Sequence, residues 1–132
     1  MLIMMEVTDE RSNERTSLGR WGEDWAALYL MSLGWIILDR NWRCRAGEID
    51  IVARDPGPPP RLVVVEVKTK AGDRYGDPLE AVTRAKLHRL GQLGLWWQGR
   101  HPEVDGSLRL DAIGITKKRG MAPVLRHVKG AW

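Results

Sequence analysis

From Ser17 onward, apolar residues recur at helical spacing, with Trp21, Trp25 and Leu28 along one line and Ala26, Leu30 and Leu33 along another. Positions three and four apart share a helix face, so the pattern predicts a helix with a wide apolar face. Ser17 is its N-cap and Gly34 its C′ residue. Residues 1–16 show no apolar period and alternate acids with bases, which predicts a flexible arm ahead of a single domain over 17–132. The short apolar run 35–38 reads as a strand, 48–53 as a second, and the valine-rich stretch 62–69 as a third. Between the last two lies Asp55-Pro-Gly-Pro-Pro-Pro-Arg61, which cannot pair in a sheet and predicts a hairpin loop.

Asp77-Pro78-Leu79-Glu80 offers an acceptor at N-cap, proline at N1 and glutamate at N3. That predicts a second helix running to about Trp97, with Leu79, Val82, Lys86, Leu90, Leu93 and Trp97 on one stripe. Gly91 and Gly94 weaken its second half by up to about 1 kcal/mol each relative to alanine. Strands are predicted again over 108–115 and 124–128. The order α-β-β-β-α-β-β implies an α/β fold, a mixed sheet flanked by helices.

Composition narrows the class. The 132 residues are 43% hydrophobic and 29% charged, ordinary globular values that exclude a wholly disordered chain. No apolar run approaches the roughly 18–20 residues of a membrane span, and Met1–Glu6 has no basic segment followed by a long apolar one, as a secretion signal would. Cys44 is the single cysteine, which suits a reducing cytoplasm. The net charge is +4, unevenly spread. Acids outnumber bases in residues 1–24, whereas after Asp111 there is no acid and Lys117, Lys118, Arg119, Arg126 and Lys129 follow. Further basic clusters are Arg40, Arg43 and Arg45, and Arg84, Lys86 and Arg89. Such clusters are the electrostatic footprint of phosphate binding, or else a solvated basic surface.

The candidate chemistry lies where charge interrupts apolar strands. Side chains alternate along a strand, so Glu66 and Lys68 share one face of the third strand, opposite Val65 and Val67. By the same alternation Glu48 and Asp50 share a face of the second, with Ile49 and Ile51 opposite. A hairpin would bring Asp50 and Glu66 side by side. Buried carboxylates repel unless neutralised, and hard oxygen donors of this kind suit Mg²⁺ or Mn²⁺. Lys68 could then orient or help deprotonate an attacking water, which makes a hydrolytic apparatus for a phosphodiester. The alternative is a salt-bridged rim at the strand ends.

The string Gly22-Glu23, Ala26, Leu30, Gly34, Arg40-Asn41-X-Arg43, Gly47-Glu48-Ile49-Asp50-Ile51-Val52 and Val65-Glu66-Val67-Lys68 resembles the YraN family of bacterial proteins. The likeness continues through Tyr75-Gly76-Asp77-Pro78, Glu80-Ala81-Val82, Lys86, Arg109-Leu110-Asp111 and His127–Trp132, spanning about residues 17 to 132. The family is assigned to the PD-(D/E)XK nuclease superfamily, close to Holliday-junction resolvases. The resemblance implies a restriction-endonuclease-like αβββαβ core and a metal-dependent endonuclease acting on DNA, including branched or recombination intermediates. It implies Asp50 and Glu66 as metal-binding acids, Lys68 as the motif lysine, and Glu23 as an extra acid near the metal, against a surface pairing with Arg20 or Arg15. Asp50, Glu66 and Lys68 are thus the expected catalytic set, and Arg43, Arg45, Lys70 and Lys86 the expected nucleic-acid contacts. The expected partner is DNA and not a membrane. Symmetric cleavage of a junction would need two copies of the chain, which keeps a homodimer among the candidates.

Other residues carry weaker expectations. Glu48 either joins the same cleft or pairs with Arg43 or Arg45. Lys86 breaks an apolar stripe, as a phosphate contact or a snorkelling stem. Arg109 and Asp111 share a face of the fourth strand and read as a structural network. Trp21, Trp25 and Trp35 fit the core by period, while Trp42 lies among arginines, for base stacking or for packing on the sheet. The histidines have no zinc spacing, and Cys44 has no evident histidine partner. Two other functions remain on these data: a nucleic-acid-binding module that kept the fold without hydrolysis, and a protein-interaction adaptor with a basic surface.

Overall fold

A computed structural model describes residues 10–72 and 76–131. Its order is α1 (Glu10–Ser32), β1 (Ile36–Cys44), β2 (Gly47–Asp55), β3 (Arg61–Ala71), a 3₁₀ turn (Pro78–Ala81), α2 (Arg84–Arg100), β4 (Ser107–Lys117) and β5 (Val124–Val128). The five strands lie in the order β1-β2-β3-β4-β5. The β3–β4 pair is parallel and the other three are antiparallel. This is the expected α/β class, consistent with a restriction-endonuclease-like core. Among the described residues no helix is long and apolar enough to cross a membrane.

Each face of the sheet carries one helix. On the first, Ala26, Ala27 and Leu30 of α1 pack with Ile51, Val63, Val65, Val67 and Ile113. On the second, Leu90, Leu93 and Trp97 of α2 pack with Ile49, Leu62, Val64 and Leu110. The unbroken run Leu62–Val65 is fully buried because β3 is covered on both sides, the usual reason a strand reads as continuously apolar.

The helices differ from the pattern-based expectation in three ways. α1 starts at Glu10, seven residues before Ser17; extending a helix already nucleated by packed turns costs little. Residues 1–9 of the expected arm lie outside the described residues. Among the described side chains of α1 the buried hydrophobics are Ala26, Ala27 and Leu30, whereas Trp25 is 42% exposed, with Leu28 and Leu33 outside as well. The apolar face is wider than the strip the sheet covers. Third, the single second helix is two elements. Asp77 does cap, its Oδ1 accepting from the Leu79 amide, but Val82 turns extended and Thr83 caps α2 afresh through the Lys86 amide. Leu79 leaves the stripe to pack over Gly114, where an added Cβ would stand 2.9 Å from its Cγ. Lys86 is consequently an exposed residue of the first turn of α2, off the buried stripe Leu87, Leu90, Leu93 and Trp97.

One close approach sets the position of α1. A Cβ at Gly22 would stand 1.9 Å from Thr69 Oγ1. Within a helix Gly→Ala is ordinarily stabilising by about 1 kcal/mol. Here the overlap reverses the sign, and Gly22→Ala should destabilise the fold by about 1–3 kcal/mol. Thermal unfolding checks this; a Tm at or above that of the parent would mean that α1 does not depend on this contact.

Candidate functional site

The β2–β3 ladder pairs Ile51 with Val65 and goes no further toward the β1–β2 turn. Beyond it the Val67 amide donates to Asp50 Oδ2 at 2.8 Å, so a carboxylate satisfies a backbone donor that would be costly to leave buried and unpaired. Asp50 is thereby fixed in the fork of two strands. Glu66, one residue before Val67, interacts electrostatically with the Asp50 carboxyl, and Lys68 Nζ stands 3.5 Å from Glu66 Oε1. The acids meet as expected, though through this fork and not as a continued cross-strand pair.

The fork also corrects the expected faces of β2. Ile49 packs on the α2 side and Ile51 on the α1 side. Between the pairs Arg40–Ile51 and Trp42–Ile49, the residue facing Asp50 in β1 is Asn41, with φ 53. Asparagine tolerates this left-handed region better than most residues, and the irregular backbone opposite Asp50 accompanies the loss of simple alternation. The Asn41 side chain lowers the Glu23 carboxyl.

Glu23 follows Gly22 on α1, so the tight Gly22–Thr69 contact carries it toward the acids. Burial, then the charge of Asp50, push its carboxyl up to about 7, against the pull of Arg40. Burial and the Asp50 charge likewise push Glu66 up to about 7, against Lys68. Asp50 itself is raised by burial, which outweighs the Val67 amide. Glu23 Oε1 and Arg40 Nε are buried without a hydrogen-bond partner.

These features fit a hard divalent cation. The donors are all carboxylate oxygens, their mutual repulsion is incompletely relieved, and Glu23 has an orphaned buried oxygen. Among the described residues no three acidic, histidine or cysteine side chains form a ready cage. Mg²⁺ does not require one, being held by one or two carboxylates with water completing its shell.

The expected nucleic-acid contacts are scattered. Arg43 pairs with Glu48 at 3.2 Å, both side chains largely exposed. Glu48 therefore makes the surface pairing, while its charge still reaches Glu23 and Asp50. Lys70 Nζ donates to the Gly76 carbonyl at 3.1 Å. Arg45 is exposed beside the β1–β2 turn, and Lys86 is exposed on α2. Trp42 is half-buried and packs against the α2-side core.

Two residues not singled out individually as site members belong to this site. Arg40 donates to Asp24 at 2.8 Å and lowers the Glu23 carboxyl; Asn41 supports the same acid. Their sequence signal was a short Arg-Asn pair at the end of an apolar run, readable only once β1 is known to continue through it.

Arg109 and Asp111 form the structural network expected of them, without Lys86. The Arg109 guanidinium donates to both Asp111 oxygens at 2.8 and 2.9 Å, and to Asp55 at 3.0 Å. His127 Nε2 lies 2.8 Å from Asp111 Oδ2, and the Gly130 amide donates to Oδ1 at 3.0 Å. His127 Nε2 donates to the Asp111 carboxylate, and on the other side of the ring Nδ1 lies 3.0 Å from Tyr29 Oη. Burial alone would raise Asp111; the donors from His127, Arg109 and Gly130 outweigh it and hold the carboxyl below its ordinary value.

The family model described as "Uncharacterised protein family UPF0102" matches residues 22–115. A "UPF0102 protein" of Clavibacter michiganensis subsp. michiganensis is 50% identical over 115 residues, covering 86% of this chain and 94% of its own. One from Acidothermus cellulolyticus is 44% identical over 131 residues, covering 92% and 97%. One from Streptomyces griseus is 45% identical over 119, covering 89% and 98%. The matched span includes α1 from Gly22, the fork and the Asp50, Glu66 and Lys68 positions.

Proposed function

Since the chain belongs to the uncharacterised protein family UPF0102, the YraN family of the sequence resemblance, we propose from its site that it is a divalent-metal-dependent endonuclease hydrolysing DNA phosphodiester bonds in the cytoplasm. The observation that carries this reading is the convergence of three desolvated carboxyl groups, Glu23, Asp50 and Glu66, beside Lys68. Asp50 and Glu66 would hold Mg²⁺ or Mn²⁺, with Glu23 next to them. An ion held by them would supply Lewis-acid chemistry at the phosphodiester.

The chain's own groups do the rest. The Val67 amide fixes the Asp50 carboxylate, so the site is positioned by backbone and needs no rotamer search. Lys68, next to Glu66, is the group that orients the attacking water and meets negative charge as it develops. The Arg40 charge and the Asn41 side chain offset part of the burial that raises Glu23. A junction or other branched DNA remains the substrate class favoured by the resemblance.

The test is a calorimetric Mn²⁺ titration of the parent chain beside Asp50→Asn, repeated with a short duplex present. Binding to the parent that is weakened by an order of magnitude or more in Asp50→Asn supports the site. No binding to the parent in either setting would leave a nucleic-acid-binding module without hydrolysis as the better description. Where a DNA structure is cleaved, Glu66→Ala should abolish cleavage while the far-UV circular dichroism stays that of the parent.

A further inference from the structure

We infer that the groove between α2 and the β1–β2 turn binds an unpaired nucleotide, with Trp96 as a stacking platform and Arg45 and Arg89 as phosphate contacts. The groove, about 650 Å³, is lined by Arg45, Arg89, Gln92, Leu95 and Trp96 among others. Arg89, Gln92, Trp96 and Arg100 follow one another at spacings of three, four and four on α2, so they lie on one ridge. Arg45 faces that ridge from the turn, which is seated on α2: a Cβ at Gly47 would come within 3.2 Å of Leu93 Cδ1.

Two properties separate this groove from a solvated basic surface. Trp96 is 52% exposed, with the Arg100 guanidinium 5.9 Å from its ring, so an indole face is left in water where the core had no use for it. Arg45 and Arg89 are exposed and carry no carboxylate partner among the described residues. A flat basic face alone would suit duplex backbone. An indole between cations suits a chain that offers a free base face and phosphates together, and in a duplex the base faces are already stacked.

The inference rests on the proposed DNA substrate and specifies its form near the fork. Arg45 is five residues from Asp50, at most about 18 Å of chain, and the groove lies on the α2 face of the sheet while Glu23 comes from the α1 face, so a strand engaging both must pass the sheet edge at the β1–β2 turn. The substrate would then be DNA with a single-stranded or displaced segment next to the bond attacked.

The experiment uses fluorescence anisotropy of a labelled oligothymidylate and of a labelled blunt duplex, with the full chain and a metal chelator present. Trp96→Ala should weaken single-strand binding about five-fold or more, change duplex binding less than about two-fold, and leave the salt dependence alone. Trp96→Phe should restore most of the loss. Arg89→Ala should instead reduce the slope of log K against log salt by about 0.7. Equal losses on both oligonucleotides, no loss with Trp96→Ala, or no single-strand binding by the parent at low salt would each overturn the assignment. Because no metal is present, these outcomes do not depend on the acids; Mn²⁺ titration of Trp96→Ala, expected to match the parent, separates a failed groove from a failed metal site.

Discussion

Glu66→Gln is expected to unfold at a higher temperature than the parent above pH 7, and to lose the stabilisation that Mn²⁺ gives the parent. The sign follows from proton linkage. In the fold, burial and the Asp50 charge push Glu66 from 4.5 up to about 7. Between those values the folded chain holds a proton that the unfolded chain has released, so stability falls as pH rises through the window. Above pH 7 the full cost is present, on the order of 2 kcal/mol once residual contact with water is allowed for. Glutamine keeps the shape and cannot ionise. The variant should match the parent near pH 4 and exceed it at pH 8 by roughly 5–10 °C. Added Mn²⁺ should raise the Tm of the parent by mass action and leave that of Glu66→Gln unmoved. A variant that melts below the parent at pH 8 and still responds to Mn²⁺ would show that Glu66 is a structural member of a rim.

The opposite outcome is expected at another acid, in the Arg109–His127 network. Asp111 is 0% exposed and accepts from Arg109, His127 and Gly130. Asp111→Ala would leave the Arg109 guanidinium, 15% exposed, with Asp55 as its remaining carboxylate, and His127 with no acceptor at Nε2. Breaking a buried pair from one side costs about 3–5 kcal/mol, a large part of the stability of a domain this size. Because the Asp111 carboxyl is held low, its contribution is complete above the ordinary aspartate pKa and is lost as pH falls below it. Urea unfolding at pH 7 should show the loss. A midpoint within about 1 kcal/mol of the parent would mean that the network is redundant. Mn²⁺ binding by folded Asp111→Ala should be that of the parent, since none of these groups reaches the fork.

The acids of the candidate site differ in how they showed themselves in the amino-acid pattern. Glu66 and Lys68 stood out because charge in a valine-rich strand contradicts its surroundings, and Asp50 because a hairpin loop implied its neighbour. Glu23 had no such contrast on an amphipathic helix, and the family resemblance alone pointed to it. The polar stretch Asp39–Arg43 hid the length of β1, since an edge strand with one side in water tolerates such residues. The break at Val82 was hidden for another reason: the capping signal at Asp77 was real, but a second cap at Thr83 and the seat for Leu79 over Gly114 made two elements of one. Asn41 was visible as a residue that tolerates positive φ, yet nothing local said that β1 would carry it opposite Asp50.

The fork between β2 and β3 also gives the molecule an internal reporter. Most amides of β3 owe their protection to a neighbouring strand, whereas that of Val67 is held by the Asp50 side chain. Its hydrogen-exchange rate and proton chemical shift are therefore tied to the ionisation and occupancy of a single carboxylate. The state of the acids can be followed in solution at one backbone resonance, without a substrate and without altering any residue of the site.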